Sequence, residues 1–166
     1  ESYEICFIPD NDYRGFLKRR VEGLEEELKG GNFVNTSGEI IGTHDGYPFY
    51  TIGQRKLGVS FGADASYVVE IKPETNEVVV GAKEDLKKLE MYVKGVNLVK
   101  YDHIPDGIEA LTKVRYKHPG AMATLNNNGE EIKALFHTKV EGIAPGQSSV
   151  FYEGDDLLGG GFIAKK

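Results

Sequence analysis

The sequence predicts a mainly β protein with a short N-terminal helical segment: a small mixed α+β central domain followed by an antiparallel six-stranded β-barrel. Three observations carry that prediction. Apolar residues at helical spacing occur in one stretch near the start, Tyr13 to Leu28. From Asn32 onward they come in short runs, many of them alternating, between Gly, Asn, Asp and Pro. After Met91 six such runs follow one another in about 75 residues, the spacing of a small closed barrel.

Asp10, Asn11 and Asp12 are candidate caps for a helix opening at Tyr13. Its apolar face is Tyr13, Phe16, Leu17, Val21, Leu24 and Leu28, with Arg19, Arg20, Glu22 and Glu25–Glu27 on the solvated side. Gly23 is a candidate break, and Gly30-Gly31 ends the segment. N-F-V-N-T and E-I-I-G-T-H flank Ser37-Gly38 and read as a hairpin. S-Y-V-V-E-I-K and E-V-V-V-G-A flank P-E-T-N and read as a second. K-E-D-L-K-K-L-E, residues 83–90, reads as a helical turn or linker, with a domain boundary near Leu89 to Met91.

The barrel strands begin with M-Y-V-K-G-V-N-L-V. In I-E-A-L-T-K-V-R-Y, Ile108, Ala110, Thr112, Val114 and Tyr116 share one face by alternation. A-M-A-T-L, E-I-K-A-L-F-H, A-P-G-Q-S-S-V-F-Y and L-L-G-G-G-F-I-A complete the set, with N-N-N-G and E-G-D-D as turns. The organisation is therefore residues 1–11 as a tail, 12–90 as the central domain and 91–166 as the barrel.

Composition limits the function. The chain has 166 residues and a net charge of −6. Residues 1–90 carry 11 basic against 17 acidic side chains, and residues 91–166 carry nine of each. Neither half is a basic nucleic-acid module by its totals, so any RNA contact must be local. No apolar run approaches a membrane span, and the N-terminus lacks the basic-then-apolar order of a secretory signal. One cysteine excludes an internal disulfide framework and fits a reducing, cytoplasmic setting. The four histidines are scattered without metal-ligand spacing, so no metal site is expected.

Two places stand out chemically. Cys6, in E-I-C-F-I-P, is the one residue with strong nucleophilic potential; its apolar neighbours Ile5 and Phe7 equally suit a small buried side chain. Residues 46–62 interleave glycines and aromatics around Gln54, Arg55 and Lys56. Gly53 and Gly58 have the separation of a phosphate loop, but Val59-Ser60 stand where Lys-Ser/Thr would be needed. The polar triplet remains a contact candidate, because loops carry function disproportionately.

Nine stretches in order resemble the tRNA-specific 2-thiouridylases: S-Y-E-I-C-F-I, Y-R-G-F-L-K-R, G-E-I-I-G-T-H-D-G, Y-T-I-G-Q-R-K, Y-V-V, V-V-V-G, K-V-R-Y, A-P-G-Q-S-S-V-F-Y and L-G-G-G-F-I. Two places depart from the family pattern. Leu57 follows Lys56 directly where the family has an added Gly, and Glu22–Lys29 is longer and more acidic. The resemblance implies a carboxy-terminal part of such an enzyme, without its ATP-pyrophosphatase domain and first catalytic cysteine. It implies that ATP, with Mg2+, is bound by that other domain and adenylates the wobble uridine of tRNA. Cys6 matches the position that carries the persulfide, supplied by a donor protein, and a disulfide between the two cysteines follows. Arg115, Tyr116 and Gln147 match tRNA-contact positions, with Gln54, Arg55 and Lys56 as further candidates. Within this chain no cofactor is expected; the partners are tRNA and the sulfur donor, with neither DNA nor membrane. The competing reading is a non-enzymatic RNA-binding or scaffold barrel with an inert Cys6.

Overall fold

The computed structural model describes residues 12–23, 28, 30–55, 57 and 66–165. The chain divides into two compact units between Asp85 and Leu86.

The first unit opens with helix α1, Tyr13–Arg20. Asp12 caps it, its carboxylate accepting from the Gly15 N–H at 2.8 Å. The helix ends ahead of the candidate break at Gly23, Val21 being already extended and 45% exposed, and Leu28 is helical again. Lys18, Arg19 and Arg20 sit in its last turn, where cations complement the helix dipole. Phe16 and Leu17 are only half-buried.

Strands β1 (Gly31–Asn35) and β2 (Ile40–His44) form the first expected hairpin, and β3 (Tyr67–Lys72) and β4 (Glu77–Gly81) the second. The two hairpins join through a parallel β1–β4 pairing into one sheet, ordered β2-β1-β4-β3. Its core is Phe33, Phe49, Tyr50, Leu57, Val68, Val78 and Val80. Asn76 ties the parts together. It adopts the left-handed conformation that closes the β3–β4 connection. Its Oδ1 accepts from the Tyr47 N–H, and its Nδ2 donates to the Leu28 carbonyl at 2.7 Å.

The second unit is a closed barrel of β5 (Lys87–Leu98), β6 (Ile108–Lys113), β7 (Ala121–Asn128), β8 (Glu131–Glu141), β9 (Ser148–Glu153) and β10 (Asp156–Ile163). Around the ring the order is β10-β5-β8-β7-β6-β9, every pair antiparallel. Two sequence expectations are corrected here. Residues 83–90 divide between a 3-10 turn, Lys83–Leu86, and the start of β5. β6 stops at Lys113, three residues before its alternation predicts.

Inward residues of all six strands fill the barrel, among them Met91, Val93, Ala110, Leu125, Phe136, Phe151 and Leu158. The triple glycine of β10 is a packing feature. A Cβ at Gly159 would stand 2.4 Å from the Asn97 carbonyl oxygen, one at Gly160 2.5 Å from the Ser149 oxygen, and one at Gly161 2.6 Å from the Lys94 oxygen. Glycine lets β10 coil tightly between β5 and β9 and close the ring.

Candidate nucleic-acid interface

Because the strands alternate in direction, their connections segregate to two ends. At one end lie the start of β5, the β6–β7 connection (residues 114–120), the β8–β9 connection (142–147) and the residues after β10. Among the described residues, the connections at this end carry Arg115, Lys117 and Lys165 and no carboxylate, and Glu141 at the end of β8 stands opposite Lys87 at the start of β5. At the other end, the connections 99–107, 129–130 and 154–155 carry Asp102, Asp106, Glu130 and Asp155 against Lys100 alone. Glu153 and Asp156 flank the last of these and hold Lys100 as ion pairs, the Asp156 contact at 2.8 Å. A barrel neutral by its totals is thus basic at one end and acidic at the other. Charge segregated in this way creates a local field that the net charge conceals.

Three of the residues picked from sequence meet at the basic end. Arg115 begins a tight turn in which the His118 N–H donates to the Arg115 carbonyl at 3.0 Å. Tyr116 sits inside that turn and is 95% exposed. Strand alternation had placed it inward with Thr112 and Val114. Those two are fully buried, but the chain bends after Lys113 and carries the ring out into solvent. An exposed phenol next in sequence to an arginine suits stacking on a base or sugar next to a phosphate contact.

Gln147 closes a turn at Ala144–Gln147, its N–H donating to the Ala144 carbonyl at 3.3 Å. Pro145 fixes the first corner and Gly146, at φ 87°, the second. Its backbone is committed a second time, the carbonyl accepting from the Ile163 N–H, while the side chain is exposed. The two connections touch: a Cβ at Gly142 would lie 2.8 Å from Arg115 Nη1.

Sequence reasoning passed over Lys113 and His118. Lys113 Nζ lies 5.7 Å from the centre of the Tyr152 ring. The Lys113 carbonyl accepts from the buried Ser149 hydroxyl at 2.9 Å, fixing the strand end. His118 Nδ1 accepts from the Gly120 N–H at 3.2 Å. Burial, with Arg115 and Lys113 nearby, pushes the His118 pKa below its ordinary 6.5. The available signal was K-V-R-Y-K-H itself, four basic side chains without a carboxylate.

Gln54 and Arg55 belong to the first unit. The Gln54 side-chain oxygen accepts from the Thr51 N–H at 3.0 Å, and its backbone pairs with Val68. Part of its polar capacity therefore maintains the turn. Arg55 is exposed, with its guanidinium 5.7 Å from the Tyr67 ring centre. Lys56 and Cys6 lie outside the described residues. Among the described residues no three His, Cys, Asp or Glu side chains gather as a metal site, and no helix is long and apolar enough to cross a membrane.

Comparison with known proteins matches each unit to a family model. Residues 14–82 match the tRNA methyl transferase PRC-barrel domain, and residues 88–163 the aminomethyltransferase beta-barrel domain. The tRNA-specific 2-thiouridylase MnmA of Amoebophilus asiaticus is 54% identical over 98% of this chain and 44% of its own length. That of Cytophaga hutchinsonii is 54% identical over 98% and 45%, and that of Carboxydothermus hydrogenoformans 47% identical over 100% and 45%.

The chain belongs to the tRNA-specific 2-thiouridylase family. It spans less than half the length of these 2-thiouridylase relatives. The 2-thiouridylase motifs noted in the sequence fall in both units: Y-T-I-G-Q-R-K in the first, K-V-R-Y and A-P-G-Q-S-S-V-F-Y in the second.

Proposed function

We propose that this chain is part of a tRNA 2-thiouridylase, a cytoplasmic sulfurtransferase, and that the basic end of its barrel receives tRNA. The observation that carries the tRNA contact is the convergence of Arg115, Tyr116 and Gln147 on the cationic end of an otherwise neutral barrel. Arg offers a planar donor fork to phosphate, Tyr a stacking face, and Gln both a donor and an acceptor. The names of the relatives support the reaction.

In the whole protein a nucleotide-binding domain outside these residues holds ATP with Mg2+. The wobble uridine O2 attacks the ATP α-phosphorus and pyrophosphate leaves, which makes C2 electrophilic. Cys6 carries a persulfide taken from a donor protein. Its terminal sulfur attacks C2 and AMP departs. A second cysteine thiolate then attacks Cys6 Sγ, breaking the S–S bond, leaving sulfur on C2 and forming a disulfide whose later reduction resets the site.

The test is Cys6→Ser in the whole protein. The expected result is loss of 2-thiouridine, measured by mass spectrometry of digested tRNA, with ATP-dependent adenylation of tRNA retained. The isolated chain, given ATP, tRNA and sulfide, forms no 2-thiouridine. Normal thiolation by the Cys6→Ser enzyme would return the chain to an RNA-binding module with an inert cysteine.

A further inference from the structure

His118 has no role in the reading above, yet it sits where the tRNA-contact turn is closed. Its backbone N–H donates to the Arg115 carbonyl, and its ring Nδ1 accepts from Gly120, joining the two sides of Tyr116-Lys117 and Pro119. Gly120 is itself fixed. Its φ is +104°, and a Cβ there would stand 2.8 Å from Leu111 Cγ and Cδ1. With Nδ1 accepting, the neutral ring carries its proton on Nε2.

We propose, building on the tRNA reading of the basic end, that His118 positions the Arg115–Tyr116 turn for RNA and does so only as the neutral imidazole. Protonation places an N–H on Nδ1, directly facing the Gly120 N–H. Two donors then oppose each other, the ring leaves Gly120, and the turn presenting Arg115 and Tyr116 loses one of its two ties.

The surroundings favour the neutral ring. The charges acting on His118 are Arg115 and Lys113, both cations. The 142–147 connection, which lies against Arg115, contributes no titratable side chain. Burial acts in the same direction.

The sign of the pH effect separates this role from a purely electrostatic one. A histidine acting as an extra cation strengthens phosphate binding as it protonates. A clasp weakens it. Between pH 7.5 and 5.5 phosphodiesters stay ionised, and Lys and Arg stay charged.

The experiment measures the affinity of the chain for bulk tRNA by fluorescence anisotropy at constant ionic strength, at pH 7.5 and 5.5. The wild type is expected to lose roughly three- to tenfold in affinity at the lower pH, the value of one neutral hydrogen bond. His118→Asn places an amide oxygen at the position of Nδ1 and does not titrate. It is expected to match the wild type at pH 7.5 and to keep that affinity at pH 5.5. His118→Ala is expected to be weak at both, with unchanged thermal melts confirming its fold. In the free chain, the Gly120 amide resonance should titrate together with the His118 ring.

A wild-type affinity that rises on acidification, or that holds across the pH range in which the His118 ring is seen to protonate, overturns the proposal. So does a His118→Asn variant as weak as His118→Ala, or a Gly120 amide that ignores the titration. Arg115→Ala binding as tightly as wild type at pH 7.5 would instead remove the tRNA reading of this surface, and the Gly120 amide would still decide the clasp.

Discussion

The Arg115 guanidinium packs over Gly142, close enough that a Cβ there would fall 2.8 Å from Nη1. This contact joins the β6–β7 and β8–β9 connections and aligns the turn bearing Tyr116 with the turn bearing Gln147. A side chain at 142 would force the guanidinium away, so glycine at this position sets the direction of the proposed phosphate donor.

Arg115→Ala is expected to weaken tRNA binding by roughly 1–3 kcal/mol, the worth of a charge-assisted contact. The slope of log affinity against log salt should fall by about one, because one phosphate contact and its released counterion are lost. A salt series on folded wild type and variant measures both. Equal affinity and equal slope would take Arg115 off the RNA surface.

Gly159→Ala is expected to destabilise the barrel by about 3 kcal/mol or more. The φ of +150° strains an L side chain, and the new Cβ meets the Asn97 backbone oxygen at 2.4 Å with no flexible group to yield. Chemical denaturation followed by circular dichroism reports it. A midpoint within error of wild type would mean that β10 can shift away from β5 at little cost.

His44 gives the first unit a pH dependence. It is 7% exposed, its rings neighbours are Phe33 at 4.9 Å and Tyr50 at 5.1 Å, and its Nδ1 accepts from the Gly46 N–H. Its Nε2 has no partner among the described residues. Burial lowers its pKa below 6.5, so the unfolded chain takes up the proton more readily than the folded one. The stability it contributes is complete above pH 6.5 and is lost as pH falls through the folded-state pKa. Thermal melts from pH 7.5 to 5 should therefore decline more steeply for wild type than for His44→Asn, which keeps an acceptor for Gly46 and does not titrate. Parallel declines would assign the acid sensitivity to other groups.

Much of the fold was legible because strands and turns are written locally. Short apolar runs either side of Ser37-Gly38 marked the first hairpin, and period-two alternation either side of P-E-T-N marked the second. The first helix ends at Arg20, ahead of the candidate break at Gly23: Val21 continues the apolar period although the chain there is already extended, and Leu28 is helical again. Tyr116 was placed inward because alternation assumes that the strand continues. β6 ends at Lys113, where the Ser149 hydroxyl from β9 holds its carbonyl and the chain turns away. The candidate contact residues Arg115, Tyr116 and Gln147 were reached through family motifs, whereas Lys113 and His118 stand out only through what surrounds them.

By itself the sequence determined the β-rich class, the positions of most strands, the six-stranded barrel and the motifs that carry the family. Those properties follow from side chains a few residues apart. The tertiary structure alone decided the parallel β1–β4 pairing that fuses two hairpins into one sheet. It also decided the emergence of Tyr116 and the separation of charge between the barrel ends. Each depends on residues far apart in the chain being brought together by antiparallel closure. Nine basic and nine acidic side chains in residues 91–166 sum to zero in any arrangement, and only strand direction brings Arg115, Lys117 and Lys165 to one end and Asp102, Asp106, Glu130 and Asp155 to the other.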